Sequence, residues 1–214
     1  VREGSFRVLG PAEILQETAL LLDHIDSEGS VFRMNHASNY LTLKGTLNRD
    51  LPALRQAIAR DLREYKGMAV PPEQIVVGAG TEYLYSVLIQ LLGRQWGYAV
   101  EDPGYLRLSK IYEKNDVVTY HIPMDQAGII PEKLEESGAE ILHITPSHHF
   151  PTGIVMPVSR RYEFLSWASK GENRYIIEDD YDCEFRLAGR PIPTLQSIDV
   201  MEKVIRSEER RVGK

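Results

Sequence analysis

Apolar residues return along this chain in two alternating rhythms. Over residues 11–25 ("PAEILQETALLLDHI") they recur every three or four positions, so that Ile14, Leu15, Leu21, Leu22 and Ile25 can share a helix face. Residues 51–65 repeat the pattern with Leu54, Ala57, Ile58 and Leu62. "EQIVV" (73–77) reads as a short buried strand. It runs through "GAGT" into an amphipathic helix carrying Leu84, Val87, Leu88, Leu91 and Leu92, which Gly93 closes. Further strands are expected at 98–101, 116–122, 140–145 and 175–179, and helices near 105–114, 131–137 and 158–170. Strands separated by helices predict βαβ units: an α/β fold with a mostly parallel sheet and helices on both faces.

Composition narrows the picture in only a few places. The 214 residues carry a net charge of -6, which argues against a nucleic-acid-binding surface on this chain. Cys183 is the single cysteine, so no disulfide can form within the chain, as suits a reducing cytoplasm. No apolar run approaches the roughly 20 residues of a membrane span, and the N-terminus does not read as a signal peptide. The chain starts at Val1 rather than Met and is expected to be a fragment.

In open α/β sheets, chemistry gathers at the carboxyl ends of the strands. Four motifs fall at such ends. In "VVGAGTEY", Gly80 and Thr81 could present helix-start N–H groups to an anion, most plausibly a phosphate; a plain strand-to-helix turn with Thr81 as N-cap accounts for them equally well. Gly78-Ala79-Gly80, with Glu101 further on, also matches part of a dinucleotide fingerprint, but Tyr83 stands where the third glycine belongs. In "EDPGY", Tyr105 follows a forced turn and could stack on a planar ligand or simply pack over the sheet edge. "TPSHHFPTG" is a stiff loop suited to presenting polar groups. Its adjacent His148 and His149 point in different directions and lack a supporting cluster, so no metal site is expected. Last, the apolar run "YIIED" ends in "EDDYD". Asp179 there could hold a pyridinium N–H and Tyr181 a neighbouring phenolate-type oxygen, while at least two of the acids in this stretch are expected to be solvated loop residues and one a cap.

Taken in order, "EQIVVGAGTEYL", "VEDPGY", "TPSHHFPTG", "RYIIEDDYDCEFRLAGRPIPTLQS" and the "VI" at 204–205 resemble the fold type I pyridoxal-phosphate (PLP) proteins of the class I/II aminotransferase family. The likeness is greatest to the MocR-type branch, GntR-superfamily transcription regulators with an aminotransferase-like domain. An asparagine precedes the loop proline in ordinary aminotransferases; Phe150 stands here. The resemblance implies a three-layer α/β/α large domain over residues 46–205, with 1–45 poorly matched and the charge-rich tail 206–214 foreign to it. It also implies that Gly80 and Thr81 bind the PLP phosphate, Tyr105 stacks on the ring, Asp179 pairs with the ring nitrogen and Tyr181 with the ring oxygen. His148 and Thr152 belong to the loop beside the cofactor.

The Schiff-base lysine of such proteins sits in a "T-F-S-K"-like segment after the "V-I" strand. This chain reads "VIRSEERRVGK", and Lys214 lacks the required neighbours, so the lysine is expected beyond the C-terminus and the isolated chain is expected to turn over no amino acid. Three functions follow from the reading: the effector domain of a regulator that binds PLP and an amino-acid-like ligand and reaches DNA through a domain absent here; a fragment of a genuine aminotransferase; and, well behind them, a Rossmann-type nucleotide binder. A homodimer is expected for the full-length regulator.

Overall fold

The computed structural model describes residues 31–34, 43–78, 80–181 and 192–208. The expected helix at 11–25 and Cys183 lie outside them. The chain divides into two compact units, one containing Gly45–Val77 and the other Gly78 onward.

The first unit holds a 20-residue helix, α1 (Leu47–Lys66), which buries Leu51, Leu54, Ile58 and Leu62 along one face. The expected strand at 73–77 does not form. A single 3-10 turn (Pro72–Gln74) stands at its start, where the Gln74 and Ile75 N–H groups bond back to the carbonyls of Pro71 and Pro72. Ile75 and Val77 are buried, yet no described strand pairs with them. Burial produced the apolar run; the ladder that defines a strand is missing.

Two short strands, β1 (Val31–Met34) and β2 (Leu43–Thr46), make a small sheet of their own. The main sheet belongs to the second unit. Its strands are β3 (Gly97–Asp102), β4 (Val118–Asp125), β5 (Gly128–Ile129), β6 (Ile141–Ile144), β7 (Tyr175–Asp179) and β8 (Val204–Ser207), in the order β5-β4-β3-β6-β7-β8. Every pairing is parallel except the β4–β5 hairpin. The chain steps from β3 to β4 on one side and then crosses to β6 on the other. The switch point of the topology therefore lies between β3 and β6, where a crevice opens at the strands' carboxyl ends.

Alternating residues feed opposite layers. On one face Ala99, Leu142 and Ile176 join Leu134 of α4 (Pro131–Ser137), Phe164, Trp167 and Ala168 of α5 (Val158–Ser169) and Leu195 of α6 (Leu195–Ile198) in one core. On the other, Tyr98 packs its ring 5.0 Å from Tyr112 of α3 (Leu106–Lys114) and donates its hydroxyl to Gly93 O at the end of α2 (Thr81–Leu92). The result is three layers, α/β/α. In α2 the buried residues are Tyr85, Val87, Ile89 and Leu92, whereas Leu84, Leu88 and Leu91 of the expected stripe are only half-buried. The face is rotated because Tyr85, polar at its tip, turns inward.

One buried ion pair braces the edge of the sheet. Arg161 on α5 and Glu178 on β7 are both fully buried, 3.8 Å apart. The guanidinium donates to the carbonyls of Met156, Pro193 and Pro146, and the carboxylate accepts the N–H groups of Leu195 and Gln196. Removing one partner leaves a buried charge uncompensated. Glu178→Ala should therefore cost about 3–5 kcal/mol of unfolding free energy in urea titrations. Glu135→Ala, which breaks the exposed pair with Arg174, should cost about 1 kcal/mol or less. Equal losses would contradict this account.

Candidate functional site

At the switch point lies a cleft of about 390 Å³, lined by Gly80, Thr81, Tyr85, Glu101, Tyr105 and Asp179 among others, with Thr145, Phe150 and Tyr181. Five of the seven residues singled out by sequence thus surround one space. Three arrive on the ends of parallel strands or the turns after them: Tyr105 past β3, Asp179 at the end of β7, and Tyr181 two residues on.

Gly80 and Thr81 arrive at the start of α2. Gly80 is the N-cap, at φ +105°, a conformation that side-chain-bearing residues rarely adopt, and a Cβ added there would meet nothing within 4 Å. Gly80 has no side chain to cap the helix, and the first residues of α2 line the cleft. Across the cleft, Tyr105 is half-exposed and meets Phe150 edge-on, ring centroids 6.1 Å apart. Gly104 is required behind it, because a Cβ would stand 2.1 Å from the Glu101 carbonyl oxygen.

Asp179 accepts a 2.8 Å hydrogen bond from Ser207, whose Oγ also meets the Tyr85 hydroxyl at 2.7 Å. Burial first, and the nearby Asp179 charge second, hold the Tyr85 phenol well above its usual pKa. Beneath this group, Tyr112 Oη and Nδ1 of His143 are 2.6 Å apart, and Tyr85 sits edge-on to the same imidazole at 4.8 Å. His143 is buried and neutral, its pKa depressed by desolvation to about 3.

The loop after β6 contributes less directly. Tyr181 donates its hydroxyl to His148 O at 2.9 Å and stacks on the His148 ring at 6.2 Å, so His148 reaches the site through Tyr181. Neither His148 nor Thr152 lines the cleft. Thr152 Oγ1 meets His149 Nδ1 at 2.7 Å, and His149 Nε2 stands 3.4 Å from Glu101 Oε2. The two histidines thus make different contacts, His148 with Tyr181 and His149 with Thr152 and Glu101. No group of three or more potential metal ligands occurs among the described residues.

The acids of "EDDYD" differ from expectation. Glu178 is buried in the Arg161 pair and Asp180 is buried against Arg206 at 2.5 Å; neither is a solvated loop residue. Glu178 does act as a cap, accepting the first N–H groups of α6. Burial raises its pKa against those donors and the two guanidinium groups. Asp182 lies outside the described residues. Sequence reasoning also passed over Glu101 as a cleft acid. Its signal was its place, a carboxylate on the last turn of a buried strand just before "DPGY".

No family model matches the chain. It is 41% identical over 152 residues to the HTH-type transcriptional regulator YdeL of Bacillus subtilis, covering 71% of this chain and 33% of that protein. To the HTH-type pyridoxine biosynthesis transcriptional regulator PdxR of Corynebacterium glutamicum it is 37% identical, covering 68% and 32%. The chain thus spans about a third of the length of these relatives. Among solved structures, an archaeal alanine:glyoxylate aminotransferase superposes with a TM-score of 0.67 at 24% identity, over 93% of this chain and 48% of that one. A PLP-bound C-S lyase from Staphylococcus hominis gives 0.63 at 14% identity, over 94% and 50%, which shows the fold alone. Over the third of their length that it spans, the chain is similar to these HTH-type transcriptional regulators, and it has the fold of a PLP-dependent aminotransferase large domain.

Proposed function

We propose that this chain is the PLP-binding, aminotransferase-like domain of a MocR-type regulator; the expected domain over 46–205 runs two residues further, because Arg206 and Ser207 belong to β8 of the main sheet and are no foreign tail. The observation that carries the reading is the gathering of Gly80, Thr81, Tyr105, Asp179 and Tyr181 around one cleft at the switch point. The volume lies within the range of small-molecule pockets. Its donor set also fits the cofactor: uncapped helix N–H groups for a phosphate dianion, an aromatic face for a pyridine ring, and a carboxylate for a protonated ring nitrogen.

PLP when bound supplies an electron sink for carbanion chemistry. The residues here hold and tune it. Asp179, with Tyr85 close to its carboxylate, would hold a proton on the ring nitrogen, Tyr181 would hydrogen-bond the ring oxygen, and Thr81 would add its hydroxyl to the phosphate site. In the whole protein we propose that an amino-acid-like ligand meets the cofactor, that DNA is bound by a separate domain, and that the regulator is a cytoplasmic homodimer. Among the described residues no helix is long and apolar enough to cross a membrane. A genuine aminotransferase finds less support, since a curated aminotransferase from Thermococcus litoralis is 27% identical, below the regulators described above.

Titrating PLP into the protein and following intrinsic fluorescence tests the site. Loss of a hydrogen bond to a charged group costs roughly 1.5–3 kcal/mol, so Asp179→Ala should weaken binding about 10- to 100-fold. Thr81→Ala should weaken it by less, and Lys133→Ala on the far helix not at all. An Asp179→Ala protein binding PLP like the wild type would reject the assignment. Regulator and enzyme separate in the full-length protein: PLP should change its affinity for its promoter DNA, with no transamination. Turnover without such a change would favour the enzyme.

A further inference from the structure

Glu101 has no part in the reading above, yet it lines the same cleft as Asp179. Its side chain is nearly fully buried and built into place. Oε2 accepts the Thr145 N–H at 3.1 Å and the Thr145 hydroxyl at 2.6 Å. The third neighbour of that oxygen is His149 Nε2, at 3.4 Å, close enough for attraction though off the line of a hydrogen bond. On its other side the His149 ring meets Thr152 Oγ1 at 2.7 Å through Nδ1, and that oxygen also accepts the Ile154 N–H, which fixes the ring's position behind Glu101.

Two donors, both from Thr145, thus converge on Oε2, with the His149 ring beside it. Oε1 has no hydrogen-bond partner among the described residues. A second ionised carboxylate in the cleft of Asp179 would be disfavoured both by burial and by like charge. We propose that Glu101 is a ligand-binding residue of this cleft, protonated on Oε1 and donating that proton to an anionic oxygen of the bound molecule, with Thr145 and His149 as the positioning residues behind it. The proposal rests on the PLP reading and adds to it a neutral acid opposite Asp179.

The electrostatics agree in direction. Burial first, with Asp179 contributing, raises the Glu101 pKa to about 8, against the two Thr145 hydrogen bonds. Burial also lowers that of His149, so the pair is neutral near pH 7. Among the described residues, the titratable and charged groups around the cleft are Asp179 from β7, Glu82 and Tyr85 from α2, Tyr105 and Arg107 at the start of α3, Tyr181 past β7, and His149 behind Glu101. Because the folded-state pKa is raised, the donor is present below about pH 8 and is lost as pH rises through that value.

The test compares PLP dissociation constants of the wild type and Glu101→Gln between pH 7 and 9.5. The glutamine amide keeps an acceptor for Thr145 and a donor for the ligand, but cannot ionise. At pH 7 the two proteins should bind PLP within about threefold of each other, and Glu101→Leu, its fold checked by circular dichroism, about tenfold more weakly. As pH rises to 9.5 the wild type should weaken about tenfold relative to Glu101→Gln. The titrations of PLP itself cancel in that ratio. A ratio that stays flat would overturn the role of Glu101 and leave the PLP site standing. A wild type that binds no PLP at pH 7 would overturn both.

Discussion

The buried pair of Arg161 and Glu178 sets the geometry on which the rest of the sheet edge depends. Its five hydrogen bonds tie together the two ends of the loop after β6 (Pro146 and Met156), the segment at Pro193, the start of α6 and the end of β7. Because neighbouring residues of a strand point to opposite faces, fixing Glu178 toward α5 turns Asp179 toward α2 and the cleft. A charged pair at no exposure gains little over well-packed apolar residues. What it provides here is register: it forces one acid of the run into a structural role so that the next projects into the cleft.

The acids at the end of β7 therefore divide by direction. Glu178 and Asp180 face cationic partners, Arg161 and Arg206, within the protein, whereas Asp179 lines the cleft. Burying carboxylates next to an apolar strand is tolerable only with such partners. Asp179 shares its cleft with Glu101, and two acids in one cleft favour either a cationic ligand or a proton on one of them. A pyridinium nitrogen and a neutral Glu101 together satisfy both conditions.

Much of this was legible because the sheet is built from regular alternations. The helix at 131–137 and the strand at 175–179 fall where periodicity puts them, and the strand at 98–101 is extended by one residue at each end. Failures occur where burial and pairing part company. "QIVV" is apolar because Ile75 and Val77 are buried, but apolarity says nothing of whether a neighbouring strand is there to bond. The inward face of α2 was misplaced because Tyr85 reads as polar at its tip while its ring fills the layer above His143. The burial of Glu178 was hidden for another reason. Its partner lies 17 positions earlier, on a helix whose pattern gives no hint that an arginine would point inward. The site residues were legible as motifs, Tyr105, Asp179 and Tyr181 at strand ends and Gly80 and Thr81 at a helix start, but the grouping of the first three depended on the order β3-β6-β7, which only the fold supplies.

A crystal structure of the protein soaked with PLP tests the central claim most directly. The account predicts the phosphate at the Gly80–Thr81 end of the cleft, the ring against Tyr105, and the ring nitrogen within hydrogen-bond distance of Asp179. Cofactor density absent from this cleft, or lying with its phosphate toward Asp179, would contradict it.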